Sequence, residues 1–128
     1  MQSLWNEAEA AGYPTLLDQR VYSSRLLGRD KSLVMHDGGN TSAKIETPDL
    51  LGRPRTLLYV KGSGWDLATI QAQGFAPVRM DALLDLAQLE TLPDTQMANE
   101  LRCATVDASA PAPSVEAILH AVIPQRFV

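Results

Sequence analysis

Residues 43–47 and 56–60 are β-prone runs separated by a stretch, 48–54, that holds Asp49, Gly52 and two prolines. Strand-forming runs divided by such turn residues read as an antiparallel hairpin. Each outer end of the hairpin meets a glycine-rich polar loop: Gly38-Gly39-Asn40-Thr41-Ser42 before it and Lys61-Gly62-Ser63-Gly64 after it. Glycine permits positive φ and lets a ligand come close to peptide N–H groups. Consecutive N–H groups in such a turn form a concavity that suits an anion. Asn40, Thr41 and Ser42 add side-chain donors without charge, and Lys61 adds a positive one. Two such loops meeting at one end of a sheet would make a pocket for a phosphate or a sugar oxyanion. The alternative is two unrelated turns that need glycine for geometry alone. Neither loop has the spacing of a Walker loop or a dinucleotide fingerprint.

The rest of the pattern is helical on both sides of the hairpin. Residues 3–11 read as a helix with Ser3 as N-cap and Gly12 as its end. Pro14 opens a second helix over 14–27, with Leu16, Leu17, Val21, Ser24 and Leu27 on its inner face and Gly28 as C-cap. Residues 32–35 form an apolar, strand-like approach to the first loop. Asp66 caps a short helix over 67–73 that ends at Gly74. Residues 75–80 read as a strand, at an edge because Pro77 lies in it. Asp81 caps a helix through Leu89, and Pro93 opens another through Val106. The Ala- and Pro-rich stretch 108–113 is a loop. Ser114 starts a helix through Val122, and Arg126-Phe127-Val128 begins a buried strand. This order suggests an α/β sandwich with a partly antiparallel sheet and no regular βαβ alternation.

Composition narrows the function. The chain has 128 residues, 45% of them hydrophobic, enough for one domain with a sizeable core. No apolar run is long enough to span a membrane, and no signal peptide is visible at the N-terminus. A net charge of −4 without a basic patch argues against nucleic acid as a partner. The single cysteine, Cys103, excludes an intrachain disulfide, fits a reducing cytoplasm and reads as a small buried apolar residue. Trp5 and Trp65 read as packing residues, and Arg53 and Arg55 as solvated charges.

A third segment, Pro113-Ser114-Val115-Glu116, adds a helix start. Ser114 as N-cap and the first-turn N–H groups make a further anion site. Glu116 either complements the helix dipole or, if burial raises its pKa, serves as a general acid/base beside a bound sugar. His120 lies on the same face four residues later and reads as a packed or hydrogen-bonded helix residue. His36 precedes the first loop and could line the pocket.

Together these segments resemble the class II aldolase/adducin family. The resemblance rests on Gly38-Gly39-Asn40-Thr41-Ser42, on Val60-Lys61-Gly62-Ser63-Gly64 followed by Trp65-Asp66-Leu67, and on Pro113-Ser114-Val115-Glu116, in that order. It covers the chain from about Val21 to Val128. The details are most similar to the rhamnulose-1-phosphate aldolase-like domain of bacterial proteins fused to a short-chain dehydrogenase. The resemblance implies a three-layer α/β/α sandwich with a mixed, largely antiparallel central sheet. It implies zinc-dependent retro-aldol cleavage of a ketose 1-phosphate to dihydroxyacetone phosphate and an aldehyde. Gly39 and Asn40, with Thr41 beside them, would hold the phosphate from the first loop. Ser63 and Gly64 would hold it from the second loop, and Ser114 from the helix start. Glu116 would move the proton at the enediolate carbon. It further implies a homo-oligomer, a tetramer, with a sugar phosphate as partner; the cytoplasmic location and the absence of a nucleic-acid or membrane partner are expectations of the composition above. A pentulose-phosphate 4-epimerase and a non-catalytic adducin-like assembly domain are the alternatives on the same scaffold.

Two departures qualify the resemblance. Val115 stands where the family often has a second serine, which bears on one phosphate contact. The His-x-His pair that binds zinc in the family is absent, and His36 and His120 cannot furnish its three nitrogens. The expectation is therefore an N-terminal part of such a domain, its sheet incomplete at the C-terminus, with zinc ligands beyond Val128 and none in these residues.

Overall fold

A computed structural model describes residues 3–34 and 38–128. Helix α1 (Glu7–Ala10) is shorter than expected, because Asn6 rather than Ser3 caps it: Asn6 Oδ1 accepts from the N–H groups of Ala8 and Glu9 at 2.9 and 3.2 Å. Helix α2 (Leu16–Arg29) starts at Thr15, whose hydroxyl accepts from Asp18 N at 3.0 Å. Gly28 lies inside α2 and is not its C-cap. A Cβ there would sit 2.3 Å from Ala68 N, so glycine is what lets the 66–69 turn pack against the helix. Leu27, placed on the inner face by its spacing, is 37% exposed, and Arg20, Val21, Tyr22 and Ser24 are the buried residues of α2. Residues 31–33 form a turn rather than a strand-like approach.

The hairpin forms as expected. Strands β1 (Ser42–Glu46) and β2 (Thr56–Lys61) pair antiparallel from Ser42 opposite Val60 to Glu46 opposite Thr56. Asp49 organises the connection, its Oδ1 accepting from Leu51 N and Arg53 N at 2.8 and 2.9 Å. Strand β3 (Phe75–Arg79) adds antiparallel to β2 and gives the order β1-β2-β3, the largely antiparallel sheet expected. Pro77 is tolerated in β3 because it stands opposite Tyr59 with its carbonyl turned outward to accept Val106 N at 2.9 Å. Between β2 and β3 the expected helix is two short 3-10 turns, Leu67–Thr69 and Ala72–Gly74, with Asp66 capping the first. The break falls at Ile70, which is fully buried and extended, so burying its side chain outweighs helix continuity.

Helices α3 (Met80–Leu86), α4 (Asp94–Ala104) and α5 (Ala117–Val122) follow. Asp81 lies in the first turn of α3, not at its cap position, which Arg79 occupies. Cys103 is exposed, a correction to the buried reading: α4 turns Leu101 and Ala104 inward, and Cys103 falls on the other face. The C-terminal residues pair with β1 as a short antiparallel bridge, with Ser42 N on Val128 O at 2.8 Å and Lys44 N on Arg126 O at 2.9 Å. Phe127 is nonetheless 39% exposed, so this segment flanks the sheet rather than sitting in its core.

Alternation along β2 and β3 separates two cores. Leu58, Val60, Ala76 and Val78 pack with Leu83, Leu101, Ala104, Ala117 and Ala121 from α3, α4 and α5. On the other face Phe75 packs with Val21 and Ile70, joined by Tyr59 and Trp65. Helices therefore cover both faces, the expected three layers. Each fully buried leucine contributes about 1.5–3 kcal/mol relative to exposure. Tyr13 stacks on Tyr22 at 4.8 Å; Trp65 packs against the second core as expected, while Trp5 meets Tyr22 at 5.0 Å but stays 41% exposed. Among the described residues, no helix is long and apolar enough to cross a membrane.

Candidate functional site

The three polar segments converge. One cleft of about 430 Å³ is lined by Gly38–Asn40, by Lys61–Ser63 and by Pro113–Glu116, a volume within the range of small-molecule sites. Main-chain bonds of Lys61 hold the walls together: Lys61 N donates to Thr41 O at 3.0 Å, and Lys61 O accepts from Ser114 N at 3.3 Å. Gly62 and Pro113 form an antiparallel bridge, and Ser63 N donates to Ala112 O at 3.0 Å. A Cβ on Gly62 would lie 2.3 Å from Pro111 Cγ, so only glycine admits the third segment.

Across the cleft, Asn40 Nδ2 donates to Ser114 Oγ. The same hydroxyl accepts from Glu116 N at 3.1 Å. With two donors on its oxygen, the Ser114 proton is available for an anion in the cleft. Asn40 Oδ1 is buried and has no hydrogen-bond partner, an acceptor that a ligand hydroxyl would satisfy. Gly39 has φ +80°, which places the first loop against Leu67 and Val34.

Not every expected residue lines the cleft. Gly39, Asn40, Ser63, Ser114 and Glu116 do, together with Lys61. Thr41 turns into the core, buried, with its hydroxyl 2.7 Å from Ser24 Oγ. Gly64, at φ +87°, shapes the second loop from outside the lining. The N–H groups of Gly62 and Ser63 are used by Gly74 O and Ala112 O, so the second loop offers the cleft its Ser63 hydroxyl rather than those two N–H groups. Ser114 caps a turn, and helix α5 begins only at Ala117 and has six residues, so the third wall is a capped turn rather than a long helix N-terminus. Glu116 is exposed at the rim, not buried as acid/base tuning by desolvation would require. His36 lies outside the described residues.

Behind the walls is a polar layer: His120 is the packed, hydrogen-bonded helix residue expected, but its partner is Ser42, which the sequence offered as a loop donor and the structure buries. Ser42 Oγ and His120 Nδ1 are 2.7 Å apart, both buried. Burial lowers the His120 pKa; Glu116 opposes that shift, and Lys44 and Arg20 add to it. Arg20 is 7% exposed, its Nε has no hydrogen-bond partner, and its guanidinium lies 5.6 Å from the centre of the Phe127 ring. Burial pulls the Arg20 pKa down to about 10, which leaves it charged at neutral pH. Among the described residues, no three His, Cys, Asp or Glu side chains come together as a metal site. A second, apolar groove lies between the segment before α1 and the C-terminal part of α2, lined by Leu4, Trp5, Leu26, Leu27, Leu33 and Asp30 among others. It lacks convergent donors and does not compete with the cleft as a site for polar chemistry.

A profile of class II aldolase and adducin N-terminal domains matches residues 18–127. Over 128 residues the chain is 36% identical to the "Uncharacterized oxidoreductase YuxG" of Bacillus subtilis (strain 168), covering 100% of this chain and 19% of that protein. It is 42% identical, with a TM-score of 0.90, to the N-terminal class II aldolase domain of a conserved protein from Thermoplasma acidophilum, covering 99% of this chain and 58% of that one. The chain thus spans about a fifth of the curated relative's length and somewhat over half of the solved chain's.

Proposed function

The chain belongs to the class II aldolase and adducin N-terminal domain family, and from that premise we propose that its cleft is the phosphate-binding and proton-transfer part of an aldolase that cleaves a ketose 1-phosphate such as rhamnulose 1-phosphate. The observation that carries the reading is the convergence of Asn40, Ser63, Ser114 and Glu116 on one cleft from three distant stretches of sequence.

In this reading Ser114, with its oxygen already accepting two N–H groups, donates to the phosphate. Ser63 donates from the opposite wall, and Lys61 supplies positive charge. Uncharged donors and one cation suit a phosphate because they hold it by direction as well as by charge. Asn40 Oδ1 takes a substrate hydroxyl. Glu116 lines the rim of the cleft, where a bound substrate would cover it; in this reading it moves a proton at the carbon end once so covered.

Aldolases of this family are expected to use zinc as a Lewis acid. The described residues do not fit that metal: His120 is buried with Nδ1 engaged by Ser42, and Glu116 is the one carboxylate lining the cleft. No step above runs through a metal. Calorimetric titration with phosphoglycolate, compared between the protein and its Ser114→Ala variant, tests the phosphate half. Equal affinity in the two sinks it. Retro-aldol turnover of ketose 1-phosphates by the full-length protein tests the chemistry, and epimerisation of a pentulose phosphate in its place assigns the alternative reaction.

A further inference from the structure

The buried Ser42–His120 pair joins the two elements that carry opposite walls of the cleft. Ser42 begins β1, two residues after Asn40, and His120 is in α5, one helical turn after Glu116. Their side chains meet at 2.7 Å with 0% and 5% exposure. A second tie lies further along the same two elements. Lys44 Nζ donates to the carbonyl of Ile123 and, at 2.6 Å, to that of Gln125, both just past the end of α5. The helix is thus fixed to β1 at its middle and at its end. The turn before it carries Ser114 and Glu116, and these follow wherever the helix is set.

We propose that His120 is a positioning residue, which through Ser42 sets the separation of Asn40 from Ser114 and Glu116. This rests on reading the cleft as an anion site. The charged groups that face the ring are Glu116 on its own helix, Lys44 on β1 and Arg20 on α2. A proton entering the ring therefore adds a third cation beside buried Arg20 and half-buried Lys44, opposed by the Glu116 carboxylate. It also fixes the direction of the Ser42 bond: a charged imidazole can only donate, so Nδ1–H donates to the serine oxygen and the serine proton must turn to another acceptor. The charge repulsion acts to push α5 away from β1. The cleft then widens at the Asn40–Ser114 contact.

NMR of the protein between pH 7.5 and 5 would follow the His120 ring, the Asn40 side-chain amide and the Ser114 N–H together. The two amides are expected to shift with the midpoint of the His120 ring. In His120→Asn, which keeps a hydrogen-bonding atom near the place of Nδ1 and does not titrate, they are expected to stay flat. Inorganic sulfate, whose charge is constant over this range, gives a second readout. Its affinity should fall about tenfold through the His120 midpoint, the worth of one hydrogen bond. It should be independent of that midpoint in His120→Asn and weaker at every pH in Ser42→Ala. A His120 ring that titrates while both amides stay still overturns the proposal without recourse to any variant. Unchanged sulfate affinity in Ser42→Ala does so too. Absence of sulfate binding at every pH defeats the anion-site reading, and the amide titration still decides the positioning role.

Discussion

Asn40 and Ser114, 74 residues apart in sequence, share a side-chain hydrogen bond across the cleft. The bond fixes the Ser114 hydroxyl as a donor toward the cleft and orients the Asn40 carbonyl with it. Asn40→Ala is therefore expected to weaken phosphoglycolate binding by roughly 10- to 100-fold, the worth of a hydrogen bond serving a charged ligand. Isothermal titration calorimetry measures it. A loss below threefold would show that the cleft does not bind through this pair.

Glu116→Gln separates chemistry from binding. The side chain is exposed, so stability should change by no more than about 0.5 kcal/mol. Phosphoglycolate affinity should hold, while turnover of the full-length protein falls at least about 100-fold, as for loss of a general acid/base. Thermal melts, titration and a coupled aldehyde assay on the same preparation check the three parts.

Gly62→Ala should be costly for a steric reason. The new methyl would be 2.3 Å from Pro111 Cγ and 2.6 Å from its Cβ, on a ring that cannot swing aside. A destabilisation of about 1–3 kcal/mol is expected, as for overpacking a filled site, with weakened anion binding because the 111–116 segment must move. Urea unfolding gives the first quantity. Wild-type stability in the variant would mean that the bridge to Pro113 is loose.

Acid should destabilise the fold through His120. Its folded pKa lies below the ordinary histidine value, chiefly from burial. The unfolded chain therefore binds the proton more readily, and stability rises with pH through this window. The contribution is complete above about pH 6.5, the unfolded value, and is lost as pH falls toward the folded pKa. Melting temperatures of the wild type and His120→Asn, measured from pH 7.5 to 4.5, should converge in their pH dependence only above that point. Identical slopes throughout would remove His120 as the titrating group.

Metal analysis is expected to find no stoichiometric zinc held by the described residues, because they bring no three His, Cys, Asp or Glu side chains together. Tight zinc at one equivalent would point to ligands among residues outside that description.

The hairpin was legible because its cues are local: turn residues between two β-prone runs and a glycine loop at each end. Residue types alone left two unrelated turns open; the convergence of three polar segments was an expectation of the family resemblance that their order carries. The pairing behind them was not legible. Ser42 and His120 lie 78 positions apart, and neither carries a local signal that it will meet the other. Gly28 read as a helix stop because glycine commonly ends helices. Its role here depends on the backbone of Ala68, which helix-end cues do not locate. Cys103 read as buried on residue type, yet the phase of α4 set by Leu101 and Ala104 decides its exposure. Thr41 sat in a loop that reads as ligand-binding, but at the entry to β1 its side chain alternates inward to Ser24.

The framework of the cleft is attached to the peptide groups of Lys61, bonded to Thr41 on one side and Ser114 on the other. Any residue but proline can make those two bonds. The position is a tuning point: exchanging its lysine for a neutral or longer side chain would alter the electrical character and reach of the cavity while the walls keep their places. Selection or engineering could thus explore new ligands there at little cost to folding.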